Sequence, residues 1–165
     1  MKISFTIPGE PKGKQRARTG KGFAYTPKQT VRFESYVRVC FFNKYPNFTP
    51  RGGPVRMTVI GYFPVAKSRP KWWKALCGEI EENGGGEGVP FVSAPDWDNV
   101  GKIVADALNK IAYDDDRQVF SCLTEQYYSP RPRLEVALEF FDQATKEQPI
   151  LIPLWSTVLS SPCSP

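Results

Sequence analysis

Six aspartates and Lys102 fall within PDWDNVGKIVADALNKIAYDDDRQV, residues 95–119. Asp96 and Asp98 are two apart. In extended chain, residues i and i+2 point to the same side, so the two carboxylates would converge. Asp98 also stands where a helix N-cap belongs. Lys102 and Asp106 follow at four-residue steps, which places all three on one helix face. Asp114, Asp115 and Asp116 come just before a strand pattern, and a helix followed by a reversing strand can return them to the helix start. Unpaired carboxylates held that close repel, and some would stay protonated near neutral pH. A hard divalent cation removes the conflict. Mg2+ takes one or two carboxylates, several waters and phosphate oxygens. It lowers the pKa of a bound water and polarises a phosphodiester. Lys102 is then placed to neutralise charge developing in the transition state. The same residues admit a purely structural account. Asp98 would only cap the helix, Asp98–Lys102 and Lys102–Asp106 would be surface ion pairs worth about 0.3–0.5 kcal/mol each, and 114–116 would be a solvated turn. A Ca2+ loop fits less well, because the segment lacks the EF-hand ligand ladder and its final Glu.

Composition narrows the chemistry further. The 165 residues include no histidine, which removes Ser-His-Asp and Cys-His nucleophiles, HExxH zinc sites and Cys2His2 fingers. The net charge of +5 is unevenly spread: residues 1–74 carry 16 Lys/Arg against two acids, and residues 75–165 carry six against 15. That asymmetry suggests a polyanion-binding half and an acidic half, or else a dipolar surface that neutralises itself on folding. Lys12, Lys14, Arg16 and Arg18 take every second position of PKGKQRARTG and would line one edge of an extended arm. Four phosphate contacts would give a log K against log salt slope of about −3.6 on duplex DNA. Tyr25 and Lys28 extend this surface, and Lys71-Trp72-Trp73-Lys74 would stack on unpaired bases or cover a core edge. No nucleotide cofactor is expected, because 9–15 has only three residues between its glycines and ends in Gln, which rules out a phosphate loop. Cys40, Cys77, Cys122 and Cys163 are far apart, so they read as reduced thiols rather than a zinc cluster. With no apolar signal region at the start and no run of 18 apolar residues, the expectation is a cytoplasmic protein with no membrane partner.

The elements that must position these groups are legible in outline. Residues 2–7 alternate, with Ile3, Phe5 and Ile7 on one face, and end at Pro8-Gly9: a strand. Residues 30–43 predict a helix with a buried stripe of Val31, Tyr36, Val39 and Phe42 and with Arg32, Glu34 and Arg38 outside. Residues 55–65 alternate again, a short helix is expected around Trp72, and NGGGEG (83–88) reads as a flexible loop. Residues 98–110 form the clearest helix, with Val100, Ile103, Val104, Ala107, Leu108 and Ile111 at 3/4 spacing. Residues 118–128 and 133–141 predict strands joined by the turn 129–132, an antiparallel pair. The order predicts a mixed, largely antiparallel sheet packed with helices, an α+β domain. Residues 142–165 read as a tail, either disordered or docked on the body or a partner.

The run 95–119 closely resembles the signature of RusA-type Holliday junction resolvases of bacteria and phages. The order DxDN, a lysine four after the second Asp, DAL and DDxQV recurs here. The opening strand ending in Pro-Gly, the basic arm with Arg16 and Arg18, and the run Tyr25-Thr26-Pro27-Lys28 are similar too, as is the 127–136 turn and strand. The resemblance covers residues 1–141 and implies a single RusA-like domain. It further implies a homodimeric endonuclease that uses Mg2+, with Mn2+ able to substitute, to resolve four-way DNA junctions by paired nicks in recombination and repair. By motif it assigns Asp96, Asp98 and Asp116 as metal ligands, with Asp115 if the register slips by one, and Lys102 as the catalytic lysine. Asp106 matches the Asp of DAL. Ala94 stands where many relatives carry a basic residue. Two other readings stay open: a non-catalytic junction-binding protein, and a generic Mg2+ nuclease acting on flaps or RNA.

Overall fold

The computed structural model describes residues 1–20, 22–83 and 88–142. Five strands form one sheet: β1 (Lys2–Pro8), β4 (Val55–Pro64), β5 (Val89–Pro90), β6 (Val119–Ser129) and β7 (Arg133–Phe140). Their order is β1-β7-β4-β6-β5. Only β4 and β6 run parallel, and the other neighbours are antiparallel, as the mixed, largely antiparallel expectation required. The central β4 shows why the sheet has a core face: Val55, Met57, Val59 and Phe63 are buried and the intervening residues half-exposed, the period-2 pattern of a strand covered on one side. Helices α1 (Lys28–Lys44) and α3 (Trp97–Leu108) pack on each other. α1 also packs on β1, and α3 on β6 and β4. A third helix, α2 (Lys71–Asn83), packs against β6. A small hairpin, β2 (Arg18–Gly20) with β3 (Phe23–Tyr25), interrupts the expected basic arm.

Two expectations are corrected. The strands at 119–129 and 133–140 are antiparallel in direction but not neighbours, because β4 lies between them. The connection through Pro130 and Pro132 spans about two strand spacings, ~9.6 Å, within reach of four Cα steps. On α1 the stripe is rotated. Val31, Tyr36, Val39 and Phe42 are exposed, while Thr30, Val37 and Phe41 are buried. An offset of one residue turns a helix by about 100°. The inward face was concealed because it carries polar residues that find partners there: Arg38 Nε donates to the Ala107 carbonyl of α3 at 3.0 Å, and Glu34 accepts from Lys14 at 2.7 Å. On α3 the pattern was simple, and Val100, Ile103, Val104, Ala107 and Leu108 are all buried. The expected loop 83–88 falls largely on residues outside those described, as does the expected tail from residue 143 on.

Candidate active site

The acidic segment is built by the start of α3 and by the turn that follows it. α3 begins at Trp97, so Asp96 rather than Asp98 is the N-cap residue, and no side chain caps the helix. Asp96 is extended and Asp98 is already helical, so the continuous extended backbone expected across the pair ends at the helix start. Asp98 lies in the first helical turn and lines a cavity with Trp97, Lys102 and Asp106 of α3, Asp116, and Cys122 and Thr124 of β6. Asp96 lines an adjoining cavity with Lys12, Gly13, Lys14, Pro95 and Asn99. Among the described residues no three Asp, Glu or Cys side chains are close enough to enclose a metal ion.

Gly101 sets how close α3 comes to the sheet. A Cβ there would lie 2.6 Å from Thr124 Oγ1 and 3.2 Å from Cys122 Sγ, so only glycine lets the helix rest on β6 in this position. Asp116 is brought back by Tyr113, which is fully buried and donates its hydroxyl to the Ala105 carbonyl of α3 at 2.7 Å. Burial and the nearby Asp116 and Asp106 push the Tyr113 phenol far above its ordinary pKa, so it remains a donor. Upstream, the Pro95 carbonyl accepts from Gln126 Nε2 at 3.0 Å and the Phe91 amide donates to the Gln126 carbonyl at 2.9 Å. The Ala94–Pro95 peptide is cis.

The three consecutive aspartates separate in role. Asp115 is the N-cap of a 3-10 turn, Asp116–Gln118, in a complete capping box. Its Oδ1 accepts from the Arg117 amide at 3.0 Å and from Arg117 Nε at 2.8 Å. These bonds and the guanidinium charge hold its carboxyl far below the usual range. Asp114 is exposed. Asp116 lines the cavity shared with Asp98 and Lys102. The structural account fits Asp115, which caps its turn, and exposed Asp114, and it differs at Asp98, Lys102 and Asp116. Asp98 does not cap α3, and among the described residues none of Asp98, Lys102 and Asp116 takes part in an ion pair. Asp98 Oδ1 accepts a hydrogen bond from Asn99 Nδ2 at 3.3 Å.

The basic residues do not form the single edge expected of an extended arm. Lys12 pairs with Glu10 at 2.8 Å, and Lys14 turns inward to Glu34 and Asp106. Arg16 and Arg18 are exposed, with Arg18 opposite Tyr25 across the β2–β3 hairpin. Lys28 and Lys71 are exposed at the starts of α1 and α2. Lys74 Nζ donates to the Lys67 carbonyl at 3.3 Å. Of the two tryptophans, Trp72 is exposed, whereas Trp73 is half-buried, edge-on to Tyr128 and beneath the Arg69 guanidinium. Sequence reasoning missed Trp97, whose indole is 61% exposed at the cavity rim. It also missed the small residues Cys122 and Thr124, whose alternation on β6 opposite Gly101 was the available signal. The Cys122 thiol is pushed up by burial, partly offset by a hydrogen bond with Thr124.

The donor set suits a hard divalent cation. Two carboxylates in an open cavity match the one or two that Mg2+ commonly takes, with waters and phosphate oxygens completing its shell. The Endodeoxyribonuclease RusA family model matches residues 8–139. The chain is also 35% identical over 144 residues to the uncharacterized protein YqaN of Bacillus subtilis (strain 168), an alignment covering 82% of this chain and 94% of that protein.

Proposed function

The chain belongs to the RusA endodeoxyribonuclease family, and from that premise we propose that it is a divalent-metal-dependent nuclease that resolves four-way DNA junctions by paired nicks in recombination and repair. The observation that carries the reading is the open cavity lined by Asp98, Asp116 and Lys102, which have no ion-pair partner among the described residues, while Asp106 and Asp115 beside them are paired. Asp98 and Asp116 would hold Mg2+ or Mn2+, and Asp96, on the adjoining cavity, is the third ligand by motif. The ion would supply a more acidic bound water and neutralisation of phosphate charge. The chain's own groups supply the rest. Lys102 brings a cation to the cavity where charge develops on the phosphate. The capping box and Arg117 engage the Asp115 carboxylate, which supports Asp116 over Asp115 as the ligand. Arg16, Arg18, Tyr25, Lys28 and Lys71 offer exposed groups for phosphates and bases, with Lys12 and Lys74 close by. A four-way junction presents two strands of like polarity, so a two-fold homodimer with one site per protomer matches its symmetry.

The test is a labelled four-way junction beside a matched duplex, a flap and an RNA, each with and without Mg2+. Wild type is expected to give symmetric junction nicks only with metal. Asp98→Asn is expected to lose about a thousandfold in cleavage while retaining junction binding. Equal cutting of linear duplex would overturn junction selectivity. Cutting confined to flaps or RNA would favour a generic nuclease, and binding without cutting under any divalent metal would favour an architectural protein.

A further inference from the structure

Lys14 was expected among the phosphate contacts, but its surroundings assign it other work. Its ammonium lies 2.7 Å from Glu34 Oε1 on α1 and 2.5 Å from Asp106 Oδ2 on α3. The three side chains are only 23%, 14% and 23% exposed. Its backbone amide donates to the Asn99 carbonyl at 2.8 Å. The neighbours on each side are seated as closely. A Cβ on Gly13 would lie 2.5 Å from Pro95 Cβ and 3.2 Å from Asn99 Cβ, so the arm backbone lies directly on the turn that carries Asp96 and Asp98. The Gln15 amide donates to Oγ1 of buried Thr30 at 3.4 Å, and Gln15 Nε2 donates to Gln29 Oε1 at 3.1 Å.

We propose that Lys14 is a positioning residue for the acidic site: shared between Glu34 and Asp106, it bolts the arm to α1 and α3, and the bolted arm braces the 95–99 turn. Without it Glu34 and Asp106 face each other as like charges at close range, a conflict relieved only by moving apart or by protonation. Burial alone would lower the Lys14 pKa, but its hydrogen bonds and charge interactions with Asp106 and Glu34 raise it, so the ammonium stays charged. Asp106 borders the cavity of Asp98 and Asp116. Its pairing with Lys14 leaves those two as the unpaired carboxylates there. Asn99, held by the Lys14 amide, also hydrogen-bonds Asp98.

The catalytic arm of the test rests on the nuclease reading; the metal-binding arm does not. Tb3+ alone, titrated into the full chain, is detected through luminescence sensitised by Trp97 and competed by Mg2+, with Trp97→Phe identifying the signal. Lys14→Met and Asp106→Asn are each expected to raise the Tb3+ half-saturation concentration about tenfold, the usual effect of losing a support behind a ligand. Each should lower kcat for junction cleavage about tenfold with KM within about twofold. The double variant should be no worse than either single, and Lys14→Arg should recover most of the loss. Simple field effects predict the opposite sign for one variant: removing a cation near a metal site tightens metal binding. A Tb3+ titration unchanged or tightened in Lys14→Met therefore overturns the proposal. So does a salt slope for metal-free junction binding that flattens by about 0.9 with KM raised and kcat kept, the mark of a lost phosphate contact. If Lys14→Met does not fold, Asp106→Asn and Lys14→Arg still decide, because a wild-type Tb3+ titration in Asp106→Asn removes the bolt. If wild type cleaves no junction, the nuclease reading fails and the Tb3+ arm still tests the brace.

Discussion

Two charged clusters flank the sheet, and they differ in how completely their groups are used. At the α2 side, Glu81 is 10% exposed and accepts from Ser129 Oγ, from Arg133 Nη1 at 2.7 Å and from Arg131 Nη2 at 3.3 Å. Arg133 also donates to Glu135 at 2.7 Å and stacks 3.7 Å from the Tyr62 ring centroid. Ser129 Oγ in turn accepts from the Arg131 amide at 2.8 Å. These charges all have partners within the fold. At the α3 side, Asp98, Lys102 and Asp116 share a cavity and form no ion pair among the described residues. The first arrangement pins α2 and the β6–β7 connection to the sheet. The second leaves three charged groups at one cavity without ion pairs among the described residues, an arrangement suited to a ligand that supplies counter-charge.

The 114–116 turn offers the strongest way to break this contrast, because it contains both kinds of aspartate side by side. Asp116→Asn should reduce metal-dependent junction cleavage about a thousandfold and leave the thermal midpoint unchanged or raised, since it relieves repulsion. Asp115→Asn keeps a good N-cap and should leave cleavage within severalfold, with a small drop in midpoint from the lost Arg117 pair. Measured kcat and thermal midpoints for the two variants decide it. The reverse ranking would move the metal ligand to Asp115 and show that the capping box opens in the active enzyme.

Glu81→Gln sharpens the other side of the comparison. One charged acceptor is lost under two guanidinium groups, so unfolding free energy should fall by about 1–3 kcal/mol, with cleavage per folded molecule unchanged. Burial alone would raise the Glu81 pKa, but hydrogen bonds from Ser129 and Arg133 and the charges of Arg133 and Arg131 lower it below the ordinary carboxylate value. Its contribution is therefore present above that ordinary value and lost as pH falls through the lowered one. Urea unfolding of wild type and variant should differ most near neutral pH and converge below about pH 4. A gap that stays constant with acidification would show that Glu81 acts through packing rather than charge.

The sequence made the two clusters unequally legible. α3 and β4 were readable because their periodicity is clean and hydrophobicity alone marks the inward face. The same logic failed on α1, where Glu34 and Arg38 occupy the inward face and are satisfied by Lys14 and by the Ala107 carbonyl. No count of apolar residues reveals a polar group whose partner is distant in the chain. Placement of β4 between β6 and β7 was hidden for a related reason, because a short Pro-containing connection signals direction but not adjacency. Within the site, spacing brought Asp98, Lys102 and Asp106 to one helix face as expected. It could not show that Asp106 is taken by a lysine 92 positions earlier, nor that Asp96 falls on the neighbouring cavity.

The contrast between used and unused charge extends to the basic arm, where it sets the smallest effect. Four alternating cations would suggest four equivalent phosphate contacts and a salt slope near −3.6. Lys14 is occupied by two carboxylates and Lys12 by Glu10, whereas Arg16 and Arg18 are exposed at the hairpin. The slope carried by the arm should then come mainly from the two arginines. Arg16→Ala with Arg18→Ala should flatten the dependence of log Kd on log salt by about 1.8, measured for metal-free junction binding over a range of NaCl. Adding Lys14→Met to that pair should change the slope little, because its ammonium already has its counter-ions in the protein and releases none from the DNA. A further flattening of about 0.9 on that addition would mean that Glu34 and Asp106 give up Lys14 when DNA arrives, and that the arm leaves the acidic turn to bind it.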